Sequence, residues 1–175
     1  DGVLVRRTSF DVLDDATAET FAQFGVQDPD PDHLEDMTIG ATPDGVLTVG
    51  DEYGFNPHEF WRTRDSTISR AQQVEAREGR KTPYDDVDVL ADLDVSMGIV
   101  SSNQQETVDF LLDHFELGHH FDTAYGREAT IQSLDRSKPN PHYLERALSD
   151  LDADSALYVG DNESDIQAAH NAGID

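Results

Sequence analysis

The chain has 175 residues and a formal net charge of −25, with 37 acidic and 12 basic residues. Its length suits one domain or one domain with a smaller insert, and its acidity argues against nucleic acid or anionic membrane as a partner, because both need a basic surface. It has no cysteine and no apolar stretch long enough to cross a bilayer, so disulfides, thiolate chemistry and a membrane-spanning segment are not predicted.

The sequence after the first few residues predicts a mainly helical region, residues 10–82. A helix is expected from about residue 16 to 24, and a longer helix or a helix pair between residues 58 and 78. Between them, "TIGATPDGVLTVGDEYG" carries turn residues and favours a small hairpin at residues 46–49, while "QDPDPDHLED" favours a short acidic loop. The stretch lacks the Lys-Ser/Thr ending of a phosphate-binding P-loop.

Four larger side chains of this region need an interpretation. Phe60 and Trp61 are expected to pack its core, while Arg62 and Arg64 either face a cleft or pair with surface acids. The segment "HEFWR" lacks the second His of a zinc protease helix, and no GxSxG motif occurs. Those two hydrolase classes are therefore excluded.

The next part predicts a strand followed by a helix. Residues 95–100 form an apolar run, "SSN" follows, and a helix is expected over residues 104–115. Asn103 and Glu106 have the spacing of a capping box at its start. A second unit follows, with a weak strand at residues 121–125, the segment "SKPNP", and a helix from about Pro141.

A third unit ends the chain. The apolar run at residues 156–159 predicts a strand, and a turn with two aspartates leads into a helix. That helix is expected to direct Ile166 and Ala169 inward and to end at Gly173 in a left-handed cap. Strands alternating with helices favour an α/β fold with a mostly parallel, doubly wound sheet.

Ligands of doubly wound sheets gather outside the carboxyl ends of the strands. The residues predicted at that edge are hydroxyls, a lysine and carboxylates: Asp1, Ser101, Ser102, Lys138, Asp161 and Asp165. Carboxylate oxygens are ligands that Mg²⁺ prefers, and a cation would relieve the repulsion between Asp161 and Asp165. A lysine and a hydroxyl at a helix N-terminus bind phosphate oxygens well. The pattern favours a site for a divalent cation and a phosphate.

Four segments in this order resemble the motifs of the haloacid dehalogenase-like hydrolase superfamily: "DGVL", "GIVSSN", "SKPNP" and "YVGDNESDIQAAHNAG". The last has the GDxxxD form of its phosphoglycolate phosphatase-type members, and the helical region lies where that subgroup carries a cap. The resemblance implies a Rossmann-like catalytic core, residues 1–9 and 83–175, with an inserted, mainly helical cap domain, residues 10–82.

The resemblance also implies hydrolysis of a small phosphorylated metabolite through an aspartyl-phosphate. Asp1 matches the second Asp of the first motif, the general acid and base, so the nucleophilic Asp is expected two residues before Asp1, outside this sequence. Ser101 would bind the transferring phosphoryl group, with Ser102 or Asn103 close by. Lys138 would neutralise charge on the nucleophile and the phosphate.

The implied cofactor is Mg²⁺. By the resemblance, Asp161 would ligate it, Asp165 would ligate it or orient its water, and Asp1 would contribute its backbone carbonyl. Val3 replaces the usual Thr of the first motif, which affects no charged role. Family members usually continue beyond the position of Asp175, so both ends are expected to be trimmed, and a removed signal peptide stays open.

Simpler interpretations stay open for the same residues. Asp161 and Asp165 also fit solvated turn carboxylates in an Asp-rich chain, and Ser101 also fits a helix cap. Three histidines and an aspartate suggest a second metal site, although a polar loop is favoured: His114, His119, His120 and Asp122.

Several functions also stay open. A 2-haloacid dehalogenase of the same superfamily would typically carry Tyr in place of Asp1 and need no metal, whereas a phosphomutase would share every site residue. A receiver domain has no room for the large insert, and a non-catalytic phosphate-binding protein would lack the nucleophile. The particular substrate and the oligomeric state are not predicted.

The charge pattern itself favours a particular setting. The acids are mostly Asp, and lysine occurs only at Lys81 and Lys138. This composition resembles proteins of salt-accumulating halophilic archaea, in whose cytoplasm multimolar salt shortens the Debye length to about 3 Å or less. A cytoplasmic halophile protein is predicted, with an acidic mesophile protein as the alternative.

Overall fold

The computed structural model describes residues 1–175 and contains seven α-helices and two β-strands. In chain order they are α1 (Phe10–Gln23), α2 (Pro31–Thr38), α3 (Pro43–Tyr53), α4 (Pro57–Arg77), β1 (Gly98–Gln104), α5 (Gln105–His114), β2 (Thr123–Arg127), α6 (His142–Asp150) and α7 (Glu163–Ala172). None of these helices combines the length and the apolar character that crossing a membrane would require.

The second half of the chain is an α/β region, residues 83–175, which confirms the predicted fold class. β1 and β2 are parallel neighbours, and Val100 lies opposite Tyr125. Both strands start two or three residues later than the sequence predicts. Helices α5 and α6 each pack on both strands, and Val100 shares an apolar cluster with Leu144 and Ala147 of α6.

The third predicted strand, residues 156–159, does not form. Its backbone bonds join it only to the last residue, because Tyr158 N–H donates to the Asp175 carbonyl at 2.7 Å and Asp175 N–H donates to the Ala156 carbonyl at 3.4 Å. Leu157 and Val159 are 77% and 63% exposed. An extended segment becomes part of a sheet only where a neighbour shares its hydrogen-bond ladder, and none does here.

The helical region, residues 10–82, differs from the prediction at two places. The predicted hairpin at residues 46–49 is wrong, since Val46 and Val49 lie on the buried face of α3. Thr42 caps that helix by accepting a bond from Gly45 N–H at 3.1 Å. The predicted acidic loop is also partly wrong, because Asp30 caps α2, which covers residues 31–38.

The core of the helical region is aromatic. Phe60 and Trp61 are 0% and 1% exposed, which confirms that they pack inward. Phe21 lies 4.8 Å from Phe60 between ring centroids, and Ile131 from the α/β region joins the same cluster. Helix α4 is one continuous helix, capped by Asn56. The two regions therefore share a packed contact.

Predictions about helix ends had mixed outcomes. The capping box of Asn103 and Glu106 is wrong, because β1 runs through Asn103 and α5 begins at Gln105 without a side-chain cap. Helix α7 instead carries a capping box of Asn162 and Asp165. Its left-handed cap at Gly173 is confirmed. Ala169 is buried as predicted, but Ile166 is 59% exposed, so its inward direction was wrong.

Two short segments pair side by side where the helical region joins the α/β region. Arg6 N–H donates to the Thr82 carbonyl at 2.9 Å, Tyr84 N–H donates to the Leu4 carbonyl at 3.0 Å, and Val5 forms an antiparallel bridge with Pro83. We call this paired segment, residues 4–8 and 81–84, the junction. The chain thus leaves and re-enters the α/β region at one place. The division into domains at residues 9/10 and 82/83 stays a prediction.

Candidate active site

The structure brings most of the predicted site residues to one pocket of about 680 Å³. Apolar residues of β1 and of the extended segment at residues 156–159 form much of its wall. The predicted residues that line it are Asp1, Ser101, Asn103, Lys138, Asp161 and Asp165. Ser102 does not line it and is exposed. Motifs more than a hundred residues apart in sequence therefore meet at one place.

Asp161 lies against the backbone of Gly2. Gly2 has φ +84, and a Cβ built on it would lie 1.7 Å from Asp161 Oδ2. Glycine is required here for two reasons, the left-handed backbone and the close carboxylate. Arg7 also binds that oxygen, with Nε at 3.0 Å and Nη2 at 2.5 Å.

Asp165 is buried and fully engaged by other groups. Its Oδ2 accepts bonds from the N–H groups of Asp161 and Asn162, both at 3.0 Å, and its Oδ1 lies 2.5 Å from Lys138 Nζ. Burial raises the pKa of Asp165, but the bond to Lys138 and the two amide bonds outweigh it, so the pKa lies below its usual value. A Cβ at Gly160 would lie 2.2 Å from Asp165 Cβ, so this turn also requires glycine.

Lys138 connects the last turn to β1. Its Nζ donates to Tyr158 Oη at 2.9 Å, and that hydroxyl donates to the Val100 carbonyl at 2.9 Å. Burial lowers the pKa of Lys138, but Tyr158 and the Asp165 carboxylate raise it by more. The pKa of Lys138 therefore lies above its usual value. Lys138 is therefore a charged group on the pocket wall. Sequence reasoning missed Tyr158, because a tyrosine within an apolar run gives no signal of its own.

The segment "GIVSSN", residues 98–103, is called the serine motif here. It lies within β1 rather than after it. Ser101 Oγ accepts a bond from Asn103 N–H at 3.1 Å. The Asn103 and Gln72 side-chain amides pair in both directions, at 2.9 and 3.0 Å. Gln72 belongs to α4, so the helical region holds this end of the site. The sequence offered no signal for Gln72.

Asp1 contacts the other lysine of the chain. Lys81 Nζ lies 2.6 Å from Asp1 Oδ2, and the lysine side chain is 1% exposed. The rarity of lysine in this composition was the signal that could have identified Lys81. Arg64, expected at a cleft or a surface pair, is instead buried and donates to the carbonyls of Met37 and Thr38. Arg62 is exposed.

The two aspartates of the last turn are each matched by a cation, Asp165 by Lys138 and Asp161 by Arg7. No three or more His, Cys, Asp or Glu side chains converge as a metal-binding group, including the histidines near Asp122. The donors still fit Mg²⁺, which prefers oxygen ligands and keeps several waters. The Asp161 carboxylate is 28% exposed and lies against Gly2, the residue that follows Asp1.

The family profile described as "Haloacid dehalogenase-like hydrolase" matches residues 1–175. The chain belongs to the haloacid dehalogenase-like hydrolases. The resemblance of its four motifs is confirmed at the level of the family, whereas the phosphoglycolate phosphatase-type subgroup stays a prediction.

Two curated relatives are bacterial. The chain is 37% identical over 95 residues to Pyrophosphatase PpaX of Bacillus cereus (strain ATCC 10987 / NRS 248), a match that covers 53% of this chain and 42% of the relative. Pyrophosphatase PpaX of Bacillus thuringiensis (strain Al Hakam) matches with the same identity and coverage. The matched part is thus less than half the length of these relatives.

Solved structures share the fold. A haloacid dehalogenase-like family hydrolase from Streptococcus pneumoniae has a TM-score of 0.63 and 20% identity, with 99% of this chain and 78% of that chain covered. A structure described as a predicted phosphatase from Clostridium acetobutylicum has a TM-score of 0.62 and 18% identity, with the same coverage. At these identities the likeness supports the α/β fold alone.

Proposed function

We propose that the whole protein is a Mg²⁺-dependent phosphohydrolase of small phosphate monoesters that works through an aspartyl-phosphate, as phosphoglycolate phosphatase-type enzymes do. One observation carries the proposal: an acid–base candidate, a cationic lysine, a hydroxyl and an exposed carboxylate line the same pocket, namely Asp1, Lys138, Ser101 and Asp161. Membership of a hydrolase family adds support.

The nucleophile is proposed to be an aspartate two residues before Asp1. The pocket extends as a groove between β1 and the extended segment at residues 156–159, and its walls carry apolar side chains such as Ile99, Leu157 and Val159. A strand leading into Asp1 would bury these side chains and share backbone bonds with the extended segment. Its last residues would then reach the pocket beside Lys138 and Ser101.

In the first step, the nucleophilic carboxylate attacks phosphorus, and the bond from phosphorus to the leaving oxygen breaks. Asp1, protonated at that moment, gives its proton to the leaving oxygen, which departs as an alcohol. In the second step, the Asp1 carboxylate takes a proton from water as that water attacks phosphorus, and phosphate leaves the restored nucleophile. A positioned acid–base group typically contributes about 10²–10⁴-fold to the rate.

Lys138 is proposed to stabilise negative charge on the phosphoryl oxygens and the nucleophile. Its Nζ is held by Asp165 at 2.5 Å and by Tyr158 at 2.9 Å, so the charge is already oriented before substrate binds. Electrostatic groups that need no reorganisation contribute most in a site that excludes water. Ser101, with Ser102 or Asn103 near it, is proposed to bind the same oxygens.

The Mg²⁺ site is proposed at the Asp161 carboxylate and the Asp1 backbone carbonyl, with Asp165 orienting a bound water or the Asp161 turn. When bound, the ion would neutralise charge on the transferring phosphoryl group. Gly2 supports this placement, because only a residue without Cβ lets the Asp161 carboxylate approach the backbone so closely.

Residues 10–82 are proposed to act as a cap whose side chains select the substrate. Helix α4 already contacts the serine motif through Gln72. The composition supports a setting in the cytoplasm of a salt-accumulating halophilic archaeon, with its net charge of −25, although the curated relatives named above are bacterial.

The test is a panel of substrates with the full-length protein. We expect hydrolysis of nitrophenyl phosphate and of small alkyl phosphates with Mg²⁺, loss of activity in EDTA, and recovery when Mg²⁺ is returned. Inorganic pyrophosphate belongs in the panel because of the relatives' names, and a 2-haloacid and a phosphosugar mutase assay test the two family alternatives. Full activity in EDTA, or dehalogenation without phosphatase activity, would contradict the proposal.

A further inference from the structure

Lys81 is a buried ammonium at the junction between the two regions. Its side chain is 1% exposed, and it is one of only two lysines in a chain with 37 acidic residues. Burying a charge is costly unless hydrogen bonds and an opposite charge compensate for it. The burial of a charged lysine at this place therefore requires an explanation. The family resemblance assigns Lys81 no role.

All three donors of the Lys81 ammonium have partners. Nζ lies 2.6 Å from Asp1 Oδ2, 3.1 Å from the Arg6 carbonyl and 3.2 Å from Thr8 Oγ1. Two partners belong to the junction and the third is the proposed acid–base carboxylate. The lysine therefore ties Asp1 to the place where the helical region joins the α/β region.

The contacts continue to the other side of the pocket. Thr8 Oγ1 donates to Gln72 Oε1 at 3.4 Å, and Gln72 pairs with Asn103 in the serine motif. A single chain of hydrogen bonds thus runs from Asp1 through Lys81 and Thr8 to Asn103. It joins the two ends of the site through residues of the helical region and the junction.

We propose that Lys81 is a positioning residue for Asp1, an inference that rests on the proposed acid–base role of Asp1. The Asp1 carboxylate is 24% exposed, and an exposed aspartate side chain rotates freely unless something holds it. A short charge-assisted bond selects one orientation. Acid–base transfer requires the carboxylate within hydrogen-bond reach of the reacting oxygen, and misplacement by about 1 Å can cost about 10²-fold in rate.

The first test compares Lys81→Met with Arg80→Met in the full-length protein. Methionine keeps the length and removes the donors, while Arg80 is the exposed neighbour that pairs with Glu75. For an alkyl phosphate we expect Lys81→Met to lower kcat about 10–100-fold, with KM changed by less than about 3-fold. Arg80→Met should match the wild type. A loss confined to KM would overturn the proposal.

The second test separates positioning of Asp1 from a general structural role. In an Asp1→Asn background there is no acid–base group left to position, so adding Lys81→Met should lower kcat by less than about 3-fold. The same large loss in both backgrounds would overturn the proposal. Should Lys81→Met fail to fold, Lys81→Gln keeps an uncharged donor at the junction, lacks the charge-assisted bond to Asp1, and carries the same cycle.

The contact also has a readout that does not depend on turnover. The Lys81 ammonium should give a ¹⁵N resonance protected from solvent exchange, and Asp1→Asn should shift it, whereas Arg80→Met should not. An unshifted resonance would overturn the proposal. If the wild type hydrolyses no phosphate ester, the proposed function fails by itself, and this experiment still decides whether Lys81 holds Asp1.

Discussion

The charged groups between the two regions differ from those of the pocket. Asp65 of α4 is 2% exposed and lies 3.0 Å from Arg64 Nη1 and 2.6 Å from Arg127 Nη2. The carboxylates of Asp1 and Asp161 are 24% and 28% exposed. The first set is fully enclosed by protein, whereas the second borders the pocket. Burial thus distinguishes the enclosed Asp65 carboxylate from the Asp1 and Asp161 carboxylates, which remain accessible from the pocket.

Trp61 adds a further contact to the two arginines that pair with Asp65. The guanidinium carbons of Arg64 and Arg127 lie 4.7 and 5.0 Å from its ring centroid. Both arginines therefore share one carboxylate and one aromatic face, which compensates for part of the cost of burying two cations. Because Arg127 ends β2 while the other partners belong to α4, this cluster fixes the helical region on the α/β region.

The largest effect is expected on catalysis, from Asp1→Asn. The variant keeps a Lys81 acceptor but loses proton transfer, so kcat for an alkyl phosphate should fall about 10²–10⁴-fold. Nitrophenyl phosphate should lose less in the first step, because its leaving group needs less protonation. Steady-state kinetics with both substrates checks this. Wild-type turnover of the alkyl phosphate would show that Asp1 is not the acid–base group.

The next effect is expected on stability, from Asp65→Ala. Removing the shared carboxylate leaves two buried cations, which should lower the free energy of unfolding by about 3–5 kcal/mol. Denaturant unfolding measures it, with the exposed Asp109→Ala as a control that should change by less than about 0.5 kcal/mol. Equal stability of both variants would break the distinction drawn between enclosed and pocket charges.

Asp161→Asn should lower the activity and leave the free energy of unfolding unchanged. We expect a loss of about 10²-fold at low Mg²⁺, since several kcal/mol of charge stabilisation depend on the ion, and partial recovery at higher Mg²⁺. The exposed Asp154→Asn is the control for removing one charge nearby. Magnesium titrations of the rate provide the measurement, and an unchanged magnesium requirement would count against Asp161 as a ligand.

Salt should act on the whole surface with a smaller effect per group. With a net charge of −25, dilute buffer exposes self-repulsion that molar KCl screens. The melting midpoint by circular dichroism should therefore rise in molar KCl, by several degrees for each few kcal/mol regained. An equal or higher midpoint in dilute buffer would contradict the halophile proposal.

Only part of the fold could be predicted from the sequence. Helix α4, the aromatic core and the α/β order follow from apolar spacing, which depends on local pattern. Helix α3 was missed because its glycines and its proline suggested turns, whereas Pro43 starts the helix and Val46 and Val49 face the core. The strand predicted at residues 156–159 does not form, because strand pairing depends on a neighbouring strand that a local sequence pattern does not supply.

The pocket shows the same limit. Its charged residues were found because motifs name them, namely Asp1, Lys138, Asp161 and Asp165, and all four line the same pocket. The groups that hold these residues or Asn103 were not found: Tyr158, Lys81, Arg7 and Gln72. Each comes from a different segment and contacts the site only after folding, so no spacing in the sequence announces it.

The central claim is a phosphoryl group carried transiently by an aspartate beside Asp1. The most direct measurement is rapid acid quench of the full-length protein during turnover with Mg²⁺, followed by peptide mass spectrometry. The account predicts one phosphoryl group on the aspartate two residues before Asp1, with more of it accumulating in Asp1→Asn when a good leaving group is used, because the second step lacks its base. Steady turnover without any phosphorylated aspartate, or with the group on another residue, would contradict it.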